Sequence, residues 1–186
     1  NAIVITDEIR INLQDPNFGK EMYAALGQFG CAEVIGYDPI IDELGASIDS
    51  SLERFCNQSI GDKLKSHDAK LAGQRGYTPD GVENSTDERL EDKGIQFREI
   101  REQIGIGGYL ADDHPLKEYN EHLPHLYSGN IPIIGEQDLV PQGEQLHRLY
   151  EGLQMEIWGK VIGYVKNELG EENLPNVPAM LAYGDT

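Results

Sequence analysis

The sequence has little positive charge. Its 186 residues contain 15 Lys and Arg against 33 Asp and Glu, which gives a formal net charge of −18 at pH 7. A field of that sign repels phosphate groups and therefore disfavours direct binding to nucleic acid or to an anionic membrane. The charge leaves three interpretations open: a solvated surface, an acidic face for a protein partner, or an acidic inhibitor that imitates DNA.

Cysteines and long apolar runs are also scarce. Cys31 and Cys56 are the two cysteines; they form no CxxC pair, so we expect two free, partly buried thiols, with a disulfide between them as the alternative. No apolar run approaches the roughly 20 residues that a membrane span requires. The first residues lack the basic and apolar regions of a signal peptide. We therefore expect a reducing compartment and no membrane partner.

Established catalytic motifs are missing as well. The glycine-rich cluster at 105–108 follows a predicted helix and has no P-loop lysine, so we interpret it as a helix C-cap and turn. The sequence contains no Gly-x-Ser-x-Gly elbow, and neither cysteine has the electropositive neighbours that activate a thiolate. We therefore expect that the chain is not an enzyme and has no cofactor.

Histidines and carboxylates concentrate in residues 112–125. The residues concerned are Asp112, Asp113, His114, Glu121, His122 and His125. Imidazole and carboxylate groups are ligands of Zn, Mn and Fe ions. The spacing matches no established metal motif, and Pro124 interrupts the His-x-x-His segment. A metal-dependent enzyme that uses this loop is therefore the alternative function, while the first expectation is that no metal is bound.

Apolar and polar residues alternate in residues 1–14. Ile3, Ile5, Ile9 and Ile11 occupy odd-numbered positions, which predicts a strand with one buried face. The segment that follows is helical in pattern, so the strand has no hairpin partner. We therefore expect it to pair with a non-local strand, in the first place with an edge of another subunit.

Capping signals and apolar periodicity predict most of the remaining elements. The predicted helices cover 18–29 ending at Gly30, a segment after Asp38-Pro39 ending at Gly45, a segment opened by Ser50 and Glu53, and a segment opened by Ser85 and Glu88 that reaches Ile104. A short strand is predicted within 31–37 and another within 131–134, with loops at 66–84 and 105–140.

The longest predicted helix runs from about Pro141 to Leu169 and ends at Gly170. An apolar stripe follows its whole length, as expected for a helix packed on a core. Gly159 and Gly163 lie four residues apart on one face, although each glycine costs about 1 kcal/mol against alanine. We predict a close helix–helix contact at this pair, with Trp158 beside it; a simple bend of the helix is the alternative.

These patterns predict a mainly α fold with a minor β component (α+β). It has a helical core, a long C-terminal helix and extended arms at both ends. The expected boundaries are an N-terminal strand or arm at 1–16, one helical domain at 17–170 with a long loop at 105–140, and an extended tail at 171–186.

The preferred function is structural. We expect a subunit of a larger homo-oligomeric complex, because the predicted strand and glycine pair lack partners nearby. A viral connector or neck protein is the specific form, since small acidic proteins with strand-like arms are typical of that class. The expected partners are copies of the chain and other protein subunits, without direct nucleic-acid binding. The expected interaction residues are Ile3, Ile5, Ile9, Ile11, Trp158, Gly159 and Gly163.

Overall fold

The protein is mainly α-helical with a minor β component, as predicted. Its structure, a computed structural model, describes residues 9–71, 73–82, 101–108, 115–123 and 127–170. The described elements, in chain order, are β1 (Arg10–Asn12), α1 (Phe18–Phe29), β2 (Glu33–Ile35), α2 (Ile40–Cys56), α3 (Ile60–Lys63), β3 (Gly76–Thr78), β4 (Gln103–Gly105) and α4 (Leu139–Tyr164). Turns of 3₁₀-helix cover Leu64–Ser66, Ala69–Leu71 and Pro115–Glu121, and a π-helical turn, Val165–Leu169, continues α4.

The described residues form two compact units, each with its own hydrophobic core. One unit contains the described residues of Asn1–Glu43 and Arg148–Thr186, and the other contains those of Leu44–His147. The predicted arms lie mostly outside the described ranges, so the boundaries at 1–16, 17–170 and 171–186 stay predictions.

A helical crossover organises the first unit. Strand β1 pairs in parallel with β2, and Ile11 lies opposite Val34. Parallel strands require a long connection, and α1 supplies it. The core consists of residues from β1 and the turn after it, from α1 and from α4, together with partly buried neighbours: Ile11, Leu13, Phe18, Met22, Ala25 and Val161.

Strand β1 therefore has its partner in the same chain. The prediction of a non-local partner strand is confirmed, because α1 carries the chain back to β2 within the predicted 31–37 segment. This partner lies in the same chain, whereas the first expectation was an edge of another subunit. Pairing with another subunit stays a prediction. Ile9 and Ile11 are buried, so they serve the interior of this unit. Ile3 and Ile5 lie outside the described residues.

Helix α1 approaches α4 closely at Gly19. A Cβ atom at this position would overlap the carbonyl oxygen of Lys160 and lie 2.9 Å from its carbonyl carbon. The predicted pair Gly159 and Gly163 has a different environment, since a Cβ atom at either position would meet no atom within 4 Å. Within the described chain, the close helix contact is thus at Gly19.

The core of the second unit centres on an aromatic pair. Phe55 and Tyr77 meet edge to face, with ring centroids 5.4 Å apart, and pack with Ile133 and Leu139. Strand β3 pairs antiparallel with β4, which places Tyr77 opposite Ile104. The inward ring of Tyr77 thereby joins the small sheet to α2 and to the start of α4.

The two helices of the first unit match their predictions. Helix α1 covers Phe18–Phe29, and Gly30 follows it in the left-handed conformation, with φ of 72° and its N–H donated to the carbonyl of Leu26. Helix α4 and its π-helical turn together reach Leu169, and Gly170 follows with φ of 90°. Glycine is favoured at both ends because it adopts positive φ without a steric penalty.

The prediction of two helices between residues 38 and 57 is wrong. Helix α2 is continuous over Ile40–Cys56 and passes through Gly45. Ser50, the predicted N-cap, lies inside the helix and donates its hydroxyl to the carbonyl of Ala46 at 2.9 Å. This bond to the residue four positions earlier is the usual way in which serine is satisfied within a helix.

The region around residue 104 is also different from its prediction. Ile104 lies in β4 instead of ending a helix, and the glycine cluster at 105–108 therefore follows a strand. Residues 131–134 have no strand pairing, whereas the predicted loop at 66–84 contains β3. Ser85 and Glu88 lie outside the described residues.

Two further expectations concern the cysteines and membrane-spanning helices. Cys31 and Cys56 are free, as expected, but both are exposed. Among the described residues, no helix combines the length and the apolar character that crossing a bilayer demands.

We expect Gly19→Ala to lower the free energy of unfolding by about 1–3 kcal/mol, because the added methyl group must displace the backbone of Lys160. Gly27→Ala is the matched control on the same helix. A Cβ atom at Gly27 meets nothing within 4 Å, so we expect a gain of about 0.5–1 kcal/mol from helix propensity. Urea unfolding measures both variants. Equal stability of the two variants would contradict the close approach.

Candidate functional sites

A polar cluster in the second unit joins the buried Lys63 and Tyr77 to the partly exposed Glu102. Lys63, at the end of α3, is only 7% exposed. Its Nζ donates to both carboxylate oxygens of Glu102, at 2.9 and 2.7 Å, and the Tyr77 hydroxyl donates to Oε1 of the same carboxylate at 2.5 Å. Hydrogen bonds and opposite charge together offset the cost of removing the ammonium group from water.

The electrostatics of this cluster favour a structural role. The hydrogen bond from Lys63, followed by that from Tyr77, holds the pKa of Glu102 below its usual value. Burial, followed by the hydrogen bond to Glu102, raises the pKa of Tyr77. A general acid or base works best with a pKa near the operating pH. Both pKa values move away from neutrality, so Glu102 stays ionised and Tyr77 stays protonated. The cluster therefore connects α3 to β3 and to the residue before β4.

A second ion pair connects α2 to the segment before α4. Arg54 donates to both carboxylate oxygens of Glu136, at 3.0 and 2.7 Å, and the same guanidinium donates to the hydroxyl of Ser51. Glu136 is 8% exposed, and the hydrogen bond from Arg54 lowers its pKa. The bidentate geometry fixes the relative orientation of the Arg54 and Glu136 side chains as well as their separation.

The glycine cluster at 105–108 provides room for neighbouring side chains. A Cβ atom at Gly107 would overlap the guanidinium of Arg75, and one at Gly108 would lie 2.9 Å from Cε1 of His147. The Asn130 side chain accepts the N–H of Gly107 at 2.8 Å and donates to its carbonyl at 2.9 Å. The cluster is therefore a packing feature, and not the predicted helix C-cap.

The first unit contains an open cleft of about 600 Å³ between the start of α1 and the end of α4. Asn17, Lys20, Lys160 and Asn167 are among its lining residues. Lys160 is already engaged, because its Nζ donates to the carbonyl of Leu13 at 2.7 Å and lies 3.4 Å from Glu156. The cleft therefore contributes polar groups but brings together no catalytic set among the described residues.

The His/Asp loop is described only in part. Glu121 and His122 are exposed, while Asp112, Asp113, His114 and His125 lie outside the described residues. Within the ranges that the structure describes, no three His, Cys, Asp or Glu side chains are grouped so that they could hold a metal ion. The described residues therefore do not fit a metal centre.

The outer face of α4 is the surface on which the remaining predicted interaction residues lie. We define it by Met155, Trp158, Gly159 and Ile162. Met155 is 59% exposed and Trp158 40%, while Ile162 is half-buried. Sequence reasoning found Trp158 and the glycines but missed Met155, although its spacing of three residues from Trp158 places both on one side of the helix.

We expect Glu102→Gln to lower the free energy of unfolding by about 1–3 kcal/mol at pH 7, because it leaves the buried Lys63 ammonium without a counter-charge. The side chain of Glu102 is 34% exposed, so the loss is smaller than for a fully buried pair. Because the folded pKa of Glu102 lies below the ordinary value of 4.5, the carboxylate's contribution is complete above that pH and is lost as the pH falls through the folded pKa.

The difference in stability between wild type and Glu102→Gln should therefore shrink in acid, as measured by unfolding from pH 7 down to pH 3. Glu53→Gln, at an exposed position of α2, is the control and should change stability by less than about 0.5 kcal/mol. A pH-independent difference would show that the charge of Glu102 is not what stabilises the cluster.

No protein-family model matches the chain, and no curated protein matches it. A solved structure has a similar fold: a Caulobacter crescentus protein provisionally assigned to the 2OG-Fe(II) oxygenase family, with a TM-score of 0.66 and 19% sequence identity. The match covers 89% of this chain and 51% of the other. This chain thus spans about half the length of the protein it resembles, and at this identity the likeness shows the fold alone.

This neighbour corrects the expected function. The interpretation as a structural subunit of a homo-oligomeric complex, in the form of a viral connector or neck protein, is wrong, because the fold is that of a protein assigned to an oxygenase family. The finding favours the alternative of a metal-dependent enzyme over assembly. The expectations about copies of the chain as partners are not tested by it.

Proposed function

We propose that this chain is the mainly helical part of a 2-oxoglutarate- and Fe(II)-dependent oxygenase. The observation that carries the proposal is the common fold with the Caulobacter crescentus protein, which extends over 89% of this chain at a TM-score of 0.66. Fold alone does not specify chemistry, so the assignment also needs an account of where the iron would bind.

The iron site belongs, in this proposal, to the part of the oxygenase that lies outside these 186 residues. Non-haem Fe(II) oxygenases typically bind iron through two histidines and one carboxylate. No such group occurs among the residues described here, and about half of the neighbour has no counterpart in this chain. We therefore derive no catalytic step from the present residues.

The chain itself then has a supporting role. Its ion pairs and hydrogen bonds connect segments that are far apart in the sequence, such as Lys63 with Glu102 and Arg54 with Glu136. The pKa values of Glu102 and Glu136 are lowered, so both carboxylates stay ionised and remain paired with their cations. The expectation from the sequence, that the chain is not an enzyme and has no cofactor, is untested; this proposal instead assigns the chain to an enzyme whose iron lies outside the described residues.

Anaerobic titration with Fe(II) tests the proposal on two proteins: the 186-residue chain, and the polypeptide that contains it together with the second half. We expect the longer polypeptide to bind about one Fe(II) per chain and to consume 2-oxoglutarate in the presence of O₂, as an open two-histidine, one-carboxylate site would. The 186-residue chain should do neither. A longer polypeptide that binds no Fe(II) would refute the oxygenase assignment.

The variant His122→Ala tests the remaining alternative, which is an iron site in the loop at 112–125. If the 186-residue chain binds one Fe(II) and this variant loses it, the iron site lies in the loop at 112–125 and our placement is wrong. His147→Ala, which changes a histidine of α4 outside the loop, is the control and should leave Fe(II) binding of either protein unchanged.

A further inference from the structure

Helix α4 is apolar on two opposite sides. Leu153, Ile157 and Val161 face the core of the first unit. Met155 and Trp158 lie on the outer face and are 59% and 40% exposed. The solvent side of a surface helix normally carries polar and charged residues, whereas a helix that is apolar all round is normally buried all round. In its residue composition, the exposed outer face therefore resembles the side of a helix that packs against protein.

Three glycines of α4 leave open space beside the helix within the described chain, and Gly159 is the one on the outer face. A Cβ atom at Gly152, Gly159 or Gly163 would meet no atom within 4 Å, although each glycine costs about 1 kcal/mol in a helix interior. Gly19 of α1 and Gly143 of α4 are different, because a Cβ atom there would collide with Lys160 or approach Ile106. Gly27 of α1 and Gly45 of α2 are as open as Gly159. The open space at Gly159 therefore leaves room for a neighbouring backbone to approach this side of α4.

The outer face is poor in carboxylates for so acidic a chain. Arg148 and Lys166 lie at its two ends, and the line through Met155, Trp158, Gly159 and Ile162 carries one carboxylate, Glu151, with the exposed Glu156 beside it. The cores of protein interfaces are likewise depleted in charge and enriched in Trp, Met and Arg. The face is therefore suited to an apolar protein surface, and not to a charged ligand.

We infer that the outer face of α4 is the docking surface for the iron-binding part of the oxygenase. This inference rests on the proposed function, which supplies the occupant: a second half of about equal length, present in the neighbour and without a counterpart here. Trp158 and Met155 would insert into that half, and Gly159 would let its backbone approach α4 closely.

Thiol protection in the longer polypeptide tests the docking surface. Cys31 and Cys56 are exposed, so both are first replaced by serine. Met155→Cys then reports on the outer face, and Gln28→Cys, at an exposed position of α1, is the matched control. We expect the Met155→Cys thiol to react about tenfold or more slowly than the control, because an interface core excludes the reagent. Equal rates would overturn the inference.

Two other occupants have distinct outcomes. Protection of Met155→Cys that disappears on dilution, together with the mass of a dimer, would mean that a second copy covers the face. Protection in the 186-residue chain at every dilution would mean that its own residues cover it. Either result would overturn the inference.

A second variant guards against a folding artefact. Gly159→Leu should leave the 186-residue chain as stable as wild type or more so, because Gly159 is exposed, a Cβ atom there meets nothing within 4 Å, and leucine favours a helix over glycine. In the longer polypeptide it should abolish most of the protection at Met155→Cys through overpacking. Unchanged protection would contradict a close approach at Gly159. Fe(II) binding, measured on the same samples, distinguishes failure of the docking surface from failure of the oxygenase assignment. A protected thiol in a polypeptide that binds no Fe(II) would refute the oxygenase assignment and leave the covered face standing. A polypeptide that binds Fe(II) but leaves the thiol unprotected would refute the docking surface and leave the oxygenase assignment standing.

Discussion

The contact between Gly19 of α1 and the backbone of Lys160 in α4 is the constraint on which the first unit depends. Lys160 extends the same junction, because its Nζ donates to the carbonyl of Leu13 and lies 5.9 Å from the centre of the Phe18 ring. One residue of α4 thus holds the turn after β1 and the beginning of α1. Since this junction sets the rotation of α4, it also decides which side of the helix is covered and which side, with Trp158, remains exposed.

The second unit combines charged pairs with close backbone packing, since a Cβ atom at Gly76 would lie 2.5 Å from the carbonyl oxygen of Ser66 and one at Gly105 would lie 2.7 Å from that of Gln74. Lys63 is buried and paired with Glu102, and Arg54 holds the buried Glu136. Breaking a buried pair by removing one partner is costly, whereas the intact pair contributes little net stability. Such pairs therefore specify which segments come together. Their pKa values are shifted away from neutrality, which suits a permanent structural connection and is the opposite of what proton transfer requires.

The correction of the expected function has a physical explanation. Net charge restricts the kinds of partner that a protein attracts, but it carries no information about the fold. The alternating strand has no hairpin partner, which left a distant strand of the same chain or an edge of another subunit to pair with it. The actual partner, β2, lies beyond α1 in the same chain. That pairing is thus internal to the first unit, and the buried Ile9 and Ile11 contribute to its core.

The sequence by itself determined the fold class and the ends of α1 and α4, because glycine C-caps and apolar periodicity act between residues within one or two helical turns. It misjudged α2, where Ser50 bonds to Ala46 inside a helix instead of capping a new one. The tertiary structure alone decided the close approach at Gly19 and the pairing of Lys63 with Glu102, 39 positions apart. Those contacts join residues with no local relation to each other, so no pattern within a short window of sequence can indicate them.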